Sequence, residues 1–117
     1  MNATLMAPST QYQACIDACN KCAQLCQECF RMCLLEADVK AREHCIMDLV
    51  DCAEICSTAA CAMSRRSFHV NELCSSCATI CDECASQCSK FPQEHCKMCA
   101  DACRQCANEC RKMDNMV

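Results

Sequence analysis

From Cys74 to Cys88 the cysteines fall at 74, 77, 81, 84 and 88, and the same rhythm recurs at 96, 99, 103, 106 and 110. Each of the five positions is repeated 22 residues later. Alternating steps of three and four are the a/d spacing of an α-helix, so each run forms a single stripe. The N-terminal part carries the rhythm at 15, 19, 22, 26, 29 and 33. At 1.5 Å per residue that run covers about 27 Å of helix. Where an ordinary bundle holds Leu or Ile, this chain holds sulfur.

The rest of the sequence makes a poor conventional core. Leu, Ile, Val and Phe together number 17 of 117 residues, below the usual share for a globular domain, while Cys numbers 20 and the net charge is only −4. A single small domain, residues 1–117 with 1–8 as a loose lead-in, therefore needs disulfides, metal or association to supplement its core. Disulfides suit helical stripes badly. Residues i and i+4 on a helix hold their Cβ atoms about 5–6 Å apart, whereas a disulfide wants about 3.8 Å. Secreted disulfide frameworks also lean on loops and glycine, and this chain has no Gly. Nothing in the charge balance favours nucleic acid or a membrane surface, and no apolar run approaches a spanning length. Residues 1–13 carry no Lys, Arg or apolar stretch, so no secretory leader is expected and the expected location is cytoplasmic.

The pattern predicts four helices of similar length. The first starts from a Ser9 or Thr10 cap behind Pro8 and runs to about Leu35, with Tyr12 extending its stripe. Asp38 caps the second, which runs to about Met63 with a stripe of Cys45, Leu49, Cys52, Cys56, Ala59 and Met63. Ser64 to Arg66 form a turn. Ser67 caps the third helix, which carries Val70 on its stripe and runs to about Lys90. Pro92 opens the fourth at its first helical position, and that helix runs to about Lys112 with Met113 on its stripe. Short connections make successive helices antiparallel, giving an all-α, up-down-up-down four-helix bundle with a cysteine-lined core. Alanines beside stripe cysteines, at 23, 53, 78, 85, 100 and 107, let the helices approach closely.

Nineteen of the 20 cysteines lie on these inward stripes, Cys61 being the outward exception. A tube of thiolates selects soft metals: Cu(I), Zn(II) or an iron–sulfur cluster. Four-thiolate zinc sites would each leave a double negative charge in a dry interior, at steep desolvation cost. Monovalent ions, one per thiolate with each sulfur shared by two ions, leave the core neutral. A two-coordinate ion with bonds of about 2.3 Å needs sulfurs about 4.5 Å apart, which i, i+4 rotamers supply; a straight stripe supplies tetrahedral corners less readily.

These residues resemble the copper storage proteins, in particular the cytosolic branch. The resemblance spans about Tyr12 to Cys110. It rests on the six-cysteine first helix, the C-A-x-x-C-x-x-C units at Cys22–Cys29, Cys77–Cys84 and Cys99–Cys106, and the His95-Cys96 pair opening the fourth helix. It implies a four-helix bundle loading many Cu(I) ions through i, i+4 cysteine pairs, assembled as a homotetramer. A non-enzymatic role is expected, with a copper chaperone or recipient enzyme as the expected exchange partner. Helix two departs most, with Leu49 and Ala59 on its stripe. The alternative is a zinc- or cadmium-sequestering protein resembling metallothionein in role.

The candidate ligands are therefore Cys15, Cys19, Cys22, Cys26, Cys29, Cys33, Cys45, Cys52, Cys56, Cys74, Cys77, Cys81, Cys84, Cys88, Cys96, Cys99, Cys103, Cys106 and Cys110. His44 and His95 are added because each sits beside a stripe cysteine. In an antiparallel bundle they gather at one end with Met47 and Met98, and that end is the expected copper entrance. Met6, Met63, His69 and Met113 gather at the other. Met63 and Met113 are expected as packing residues first and ligands second.

Overall fold

The computed structural model describes residues 10–115, so the expectations for Met6, Pro8 and Ser9 lie outside the described residues. Four helices account for nearly all of it: α1 (Thr10–Leu34), α2 (Glu43–Ser64), α3 (Val70–Cys88) and α4 (Glu94–Arg111). Short 3-10 segments, Val39–Arg42 and Lys112–Asn115, precede α2 and follow α4. Each helix packs on its sequence neighbours and α1 closes on α4, completing the expected four-helix bundle. None of the described helices is long and apolar enough to cross a membrane.

Three helix starts differ from the sequence expectation, each for a local reason. Asp38 does not cap α2. Its carboxylate accepts a bond from Arg42 Nε at 2.6 Å, and a 3-10 turn intervenes before Glu43. Ser67 does not cap α3. Its Oγ accepts the backbone N–H of His69 at 3.0 Å inside the connection, and the helix begins at Val70. Pro92 is not the first residue of α4, because Gln93 stays extended (φ −68°, ψ 149°) and takes the cap position.

The α2–α3 turn has an unusual residue at its pivot. Arg66 is left-handed (φ 53°). Its N–H donates to the Met63 carbonyl at 3.2 Å, and the Ser67 N–H donates to Ala62 at 2.9 Å. These two bonds close a Schellman motif, whose pivot is usually glycine. In a chain without glycine, arginine fills it at some steric cost.

The stripes face inward as the periodicity requires. Leu49, Ala59 and Met63 of α2 are wholly buried, and Val70 and Met113 are nearly so. Ala53, Ala78, Ala85, Ala100 and Ala107 are buried between the helices, and Tyr12 and Ala23 lean on the same core. Cys61 is exposed, five residues past Cys56 on the far side of α2.

Candidate metal centre

All 19 stripe cysteines are free thiols, and none is more than 1% exposed. Their sulfurs meet both along and across the helices. Along one helix the i, i+4 pairs stand at 3.8–4.0 Å: Cys22–Cys26, Cys29–Cys33, Cys52–Cys56, Cys77–Cys81 and Cys99–Cys103. Across helices they come closer, with Cys15–Cys110, Cys22–Cys103, Cys52–Cys81, Cys45–Cys88 and Cys19–Cys106 all at 3.6 Å. Contacts of 4.0 Å or less run from Cys15 through Cys110, Cys19, Cys106, Cys56, Cys52, Cys22, Cys103 and Cys26 to Cys99.

The cross-helix contacts correct one expectation. A lone stripe offers poor tetrahedral corners, but the bundle gathers corners from different helices. Cys22, Cys52, Cys56 and Cys81 lie within 4.8 Å of one another, as do Cys26, Cys84, Cys99 and Cys103, and Cys19, Cys77, Cys106 and Cys110. Geometry alone therefore does not separate Cu(I) from Zn(II) in the middle of the tube. Charge does: four thiolates and a dication leave a double negative charge with no buried counter-ion beside these groups among the described residues, whereas shared monovalent ions leave none.

The end beyond Cys29 is built differently. His95 directs Nδ1 inward, 3.4 Å from Cys29 Sγ and 3.5 Å from Cys96 Sγ, with Cys33 in the same four-donor group. Its Nε2 lies 3.1 Å from the Glu36 carboxylate, which fixes the ring from behind. The other histidines stay outside the thiol tube. His44 is exposed, its Nε2 3.4 Å from Asp48 and 3.3 Å from Glu83, and His69 pairs with Glu72 at 3.0 Å. Met47 and Met98 are exposed rather than directed at the end, while Met63 and Met113 are buried.

In the sequence Arg42 reads as one more surface charge. It is wholly buried. Its Nη1 donates to Cys96 Sγ at 3.4 Å and to Cys33 Sγ at 3.6 Å, and Nη2 to Gln93 Oε1 at 2.6 Å. The guanidinium carbon lies 4.2 Å from the centre of the Phe91 ring, within cation–π range. Burial opposes the cation, but the bonds to Asp38, Cys33 and Cys96 outweigh it and keep Arg42 firmly protonated. The same guanidinium holds the Asp38 carboxyl below its usual range. Only the 3-10 turn brings this side chain over the tube, and no spacing rule in the sequence signals it.

One thiol at each end, Cys96 and Cys74, is held protonated in the metal-free protein. Burial, then the neighbouring Cys33, pushes Cys96 up to about 11, against smaller pulls from Cys29 and Arg42. At the other end the bond with Cys110 pulls Cys74 down, but Cys15 and burial outweigh it and raise Cys74 to about 12. A soft metal ion entering these sites must displace thiol protons.

A four-helix bundle whose interior is a column of reduced thiols is a metal-storage scaffold of the thiolate type. Comparison with known proteins sharpens that class. A family profile described as copper storage protein matches residues 8–115. The Bacillus subtilis cysteine-rich protein YhjQ is 42% identical over 68 residues, which span 58% of this chain and 63% of that relative's length. The apo form of copper storage protein 3 from Bacillus subtilis superposes with a TM-score of 0.81 at 40% identity, over 87% of this chain and 97% of that one. A cytosolic copper storage protein from Streptomyces lividans, solved with five coppers, superposes with a TM-score of 0.86 at 34% identity, over 89% and 92% of the two chains. The chain belongs to the copper storage protein family.

Proposed function

We propose that the protein stores Cu(I) as cargo along the bundle axis, held by the 19 stripe thiolates, with no catalytic turnover. The observation that carries this reading is the column of buried sulfurs itself, with contacts of 4.0 Å or less running unbroken from Cys15 to Cys99 and four-donor groups continuing it to Cys33 and Cys96. With the Arg42 charge counted, about eighteen monovalent ions would leave the interior neutral. Sharing of thiolates between neighbouring ions lets an ion move along the file without release to water. His95, partly exposed and aimed at Cys29 and Cys96, receives ions at the end it shares with Cys33, Cys45 and Cys88. We place the protein in the cytosol, where thiols stay reduced. A homotetramer, with a copper chaperone or recipient enzyme as exchange partner, is the assembly that family membership favours.

The test is native mass spectrometry of the fully reduced protein titrated separately with Cu(I) and Zn(II), with sedimentation velocity for the assembly. Copper equivalents approaching the stripe-thiol count are expected. Saturation at only a few coppers, with zinc filling the four-cysteine groups, would move the protein to the sequestration of divalent metals. Saturation near half the thiol count would remove the shared ladder.

A further inference from the structure

The inner four-sulfur groups and the Cys29–Cys33–His95–Cys96 group differ in the charge they leave around a dication. We infer that this end group is a separate four-coordinate site for one divalent ion of the zinc class, with Arg42 as its built-in counter-cation. The site is filled in copper-free protein and emptied as Cu(I) arrives. Only that last step rests on the storage reading.

Three observations converge. The first is donor set and spacing. Three thiolates and one imidazole are a common zinc environment, and bonds of about 2.3 Å to sulfur and about 2.0 Å to nitrogen give tetrahedral edges of about 3.8 Å (S···S) and about 3.5 Å (S···N). The structure has Cys29–Cys33 at 3.8 Å, Cys29–Cys96 at 3.9 Å, and His95 Nδ1 at 3.4 and 3.5 Å from Cys29 and Cys96. The second is support behind the ligands. Glu36 orients the imidazole from its far nitrogen, and Arg42 donates to the Cys33 and Cys96 sulfurs, as outer partners do at metal sites.

The third is charge. Three thiolates and a dication sum to one negative charge, and the Arg42 guanidinium cancels it. Glu36 and Asp38 complete the surroundings, but both carboxylates reach solvent, which screens them. Among the described residues Arg42 is the one buried cationic side chain, so no four-cysteine group deeper in the tube has the same compensation. A dication is therefore tolerated at this end and disfavoured further in. Cu(I), softer and able to share thiolates with the inner file, takes the sulfurs once it is supplied.

The probe is Co(II), which reports tetrahedral thiolate ligation by its visible bands and sulfur-to-cobalt charge transfer. Reduced, copper-free full-length protein is titrated anaerobically with Co(II), then with Zn(II) against a chromophoric chelator. One Co(II) per chain with tetrahedral bands is expected, displaced by one Zn(II), and Cu(I) should release that zinc into the chelator. Cys103→Ser, in mid-tube, should keep the cobalt spectrum. His95→Ala, at the margin of the bundle, should lose it or shift it to a three-sulfur form. Arg42→Met should weaken Zn(II) at least tenfold, with Arg42→Lys recovering part of the loss. Because Arg42 is wholly buried, circular dichroism decides whether its variants are interpretable, and the His95 and Cys103 pair makes the test without them. Absence of a saturable Co(II) site beside full copper loading would overturn this inference and leave storage standing. So would several equivalents that depend on Cys103, or an unaltered Zn(II) affinity in a folded Arg42→Met. Stoichiometric zinc throughout with few coppers would overturn storage instead.

Discussion

Arg66 and Cys61 sit five residues apart and show how strictly the chain separates its faces. Cys61 has the chemistry of a ligand and the wrong position, exposed on α2. Cys61→Ser should leave copper capacity unchanged, as endpoint metal analysis would show; loss of a whole equivalent would place its sulfur inside. Arg66 holds a left-handed pivot without glycine's freedom. Arg66→Gly removes the steric cost but loosens the unfolded chain, for a net gain of about 0.5–1 kcal/mol. Thermal unfolding of the reduced apo protein should shift up by a few degrees, and a lower midpoint would contradict the strain.

The two histidines paired by sequence are likewise separated by structure. His95 faces sulfur and His44 faces carboxylates. His95→Ala should slow copper transfer from a chromophoric chelator several-fold in stopped-flow, with capacity changed by an ion at most. His44→Ala should leave the rate unaltered. Equal effects from both would mean that surface charge near the end, not ligation, governs entry.

At the scale of the helix, α2 is the uneven stave. Its stripe spends two core positions on Leu49 and Ala59, both wholly buried, and it supplies three inward thiols where α1 supplies six. Its thiols are nonetheless central. Cys52 touches Cys22, Cys56, Cys81 and Cys103, and so joins all four helices. Removing a junction should cost more copper than removing a terminus. Cys52→Ser is expected to lose more than one equivalent in native mass spectrometry, because several bridged ions share that sulfur, while Cys74→Ser loses about one. Identical losses would argue against shared thiolates. The bundle tolerates such changes because its helices rest on Ala, Glu, Gln, Lys and Arg, which favour helix with or without metal.

For the whole molecule, the balance between thiol and thiolate sets the response to pH. Reduced apo protein should be helical before any metal is added, since neutral buried thiols pack as small hydrophobes. A coil spectrum that turns helical only with copper would show otherwise. Cys96 at about 11 and Cys74 at about 12 lie above the ordinary thiol value of 9.0, so at these two positions the folded state holds protons that the unfolded chain releases at alkaline pH. Their contribution to stability is complete below pH 9 and is lost as pH climbs towards 12. Denaturant midpoints for the apo protein should fall across that window. Copper-loaded protein, its thiolates already ionised and neutralised by metal, should show no such fall.

Helix number, inward stripes, the outward Cys61 and the soft-metal chemistry were legible in the spacing, because a helical period is a local property that each residue carries whatever its neighbours do. The helix starts were not. Asp38, Ser67 and Pro92 are all plausible starts by residue type, and the choice fell to competing bonds such as the one Arg42 makes to Asp38. Nor could spacing show the four-sulfur groups, since each takes members from separate helices and depends on their relative height and rotation. Arg42 is the clearest case. Its neighbours Cys33, Gln93 and Cys96 lie 9, 51 and 54 residues away, and only folding brings them within reach of one guanidinium. Sequence by itself determined that this chain forms a tube of sulfur. Tertiary structure decided how its ends differ, because charge compensation in a dry interior depends on which distant groups are placed side by side.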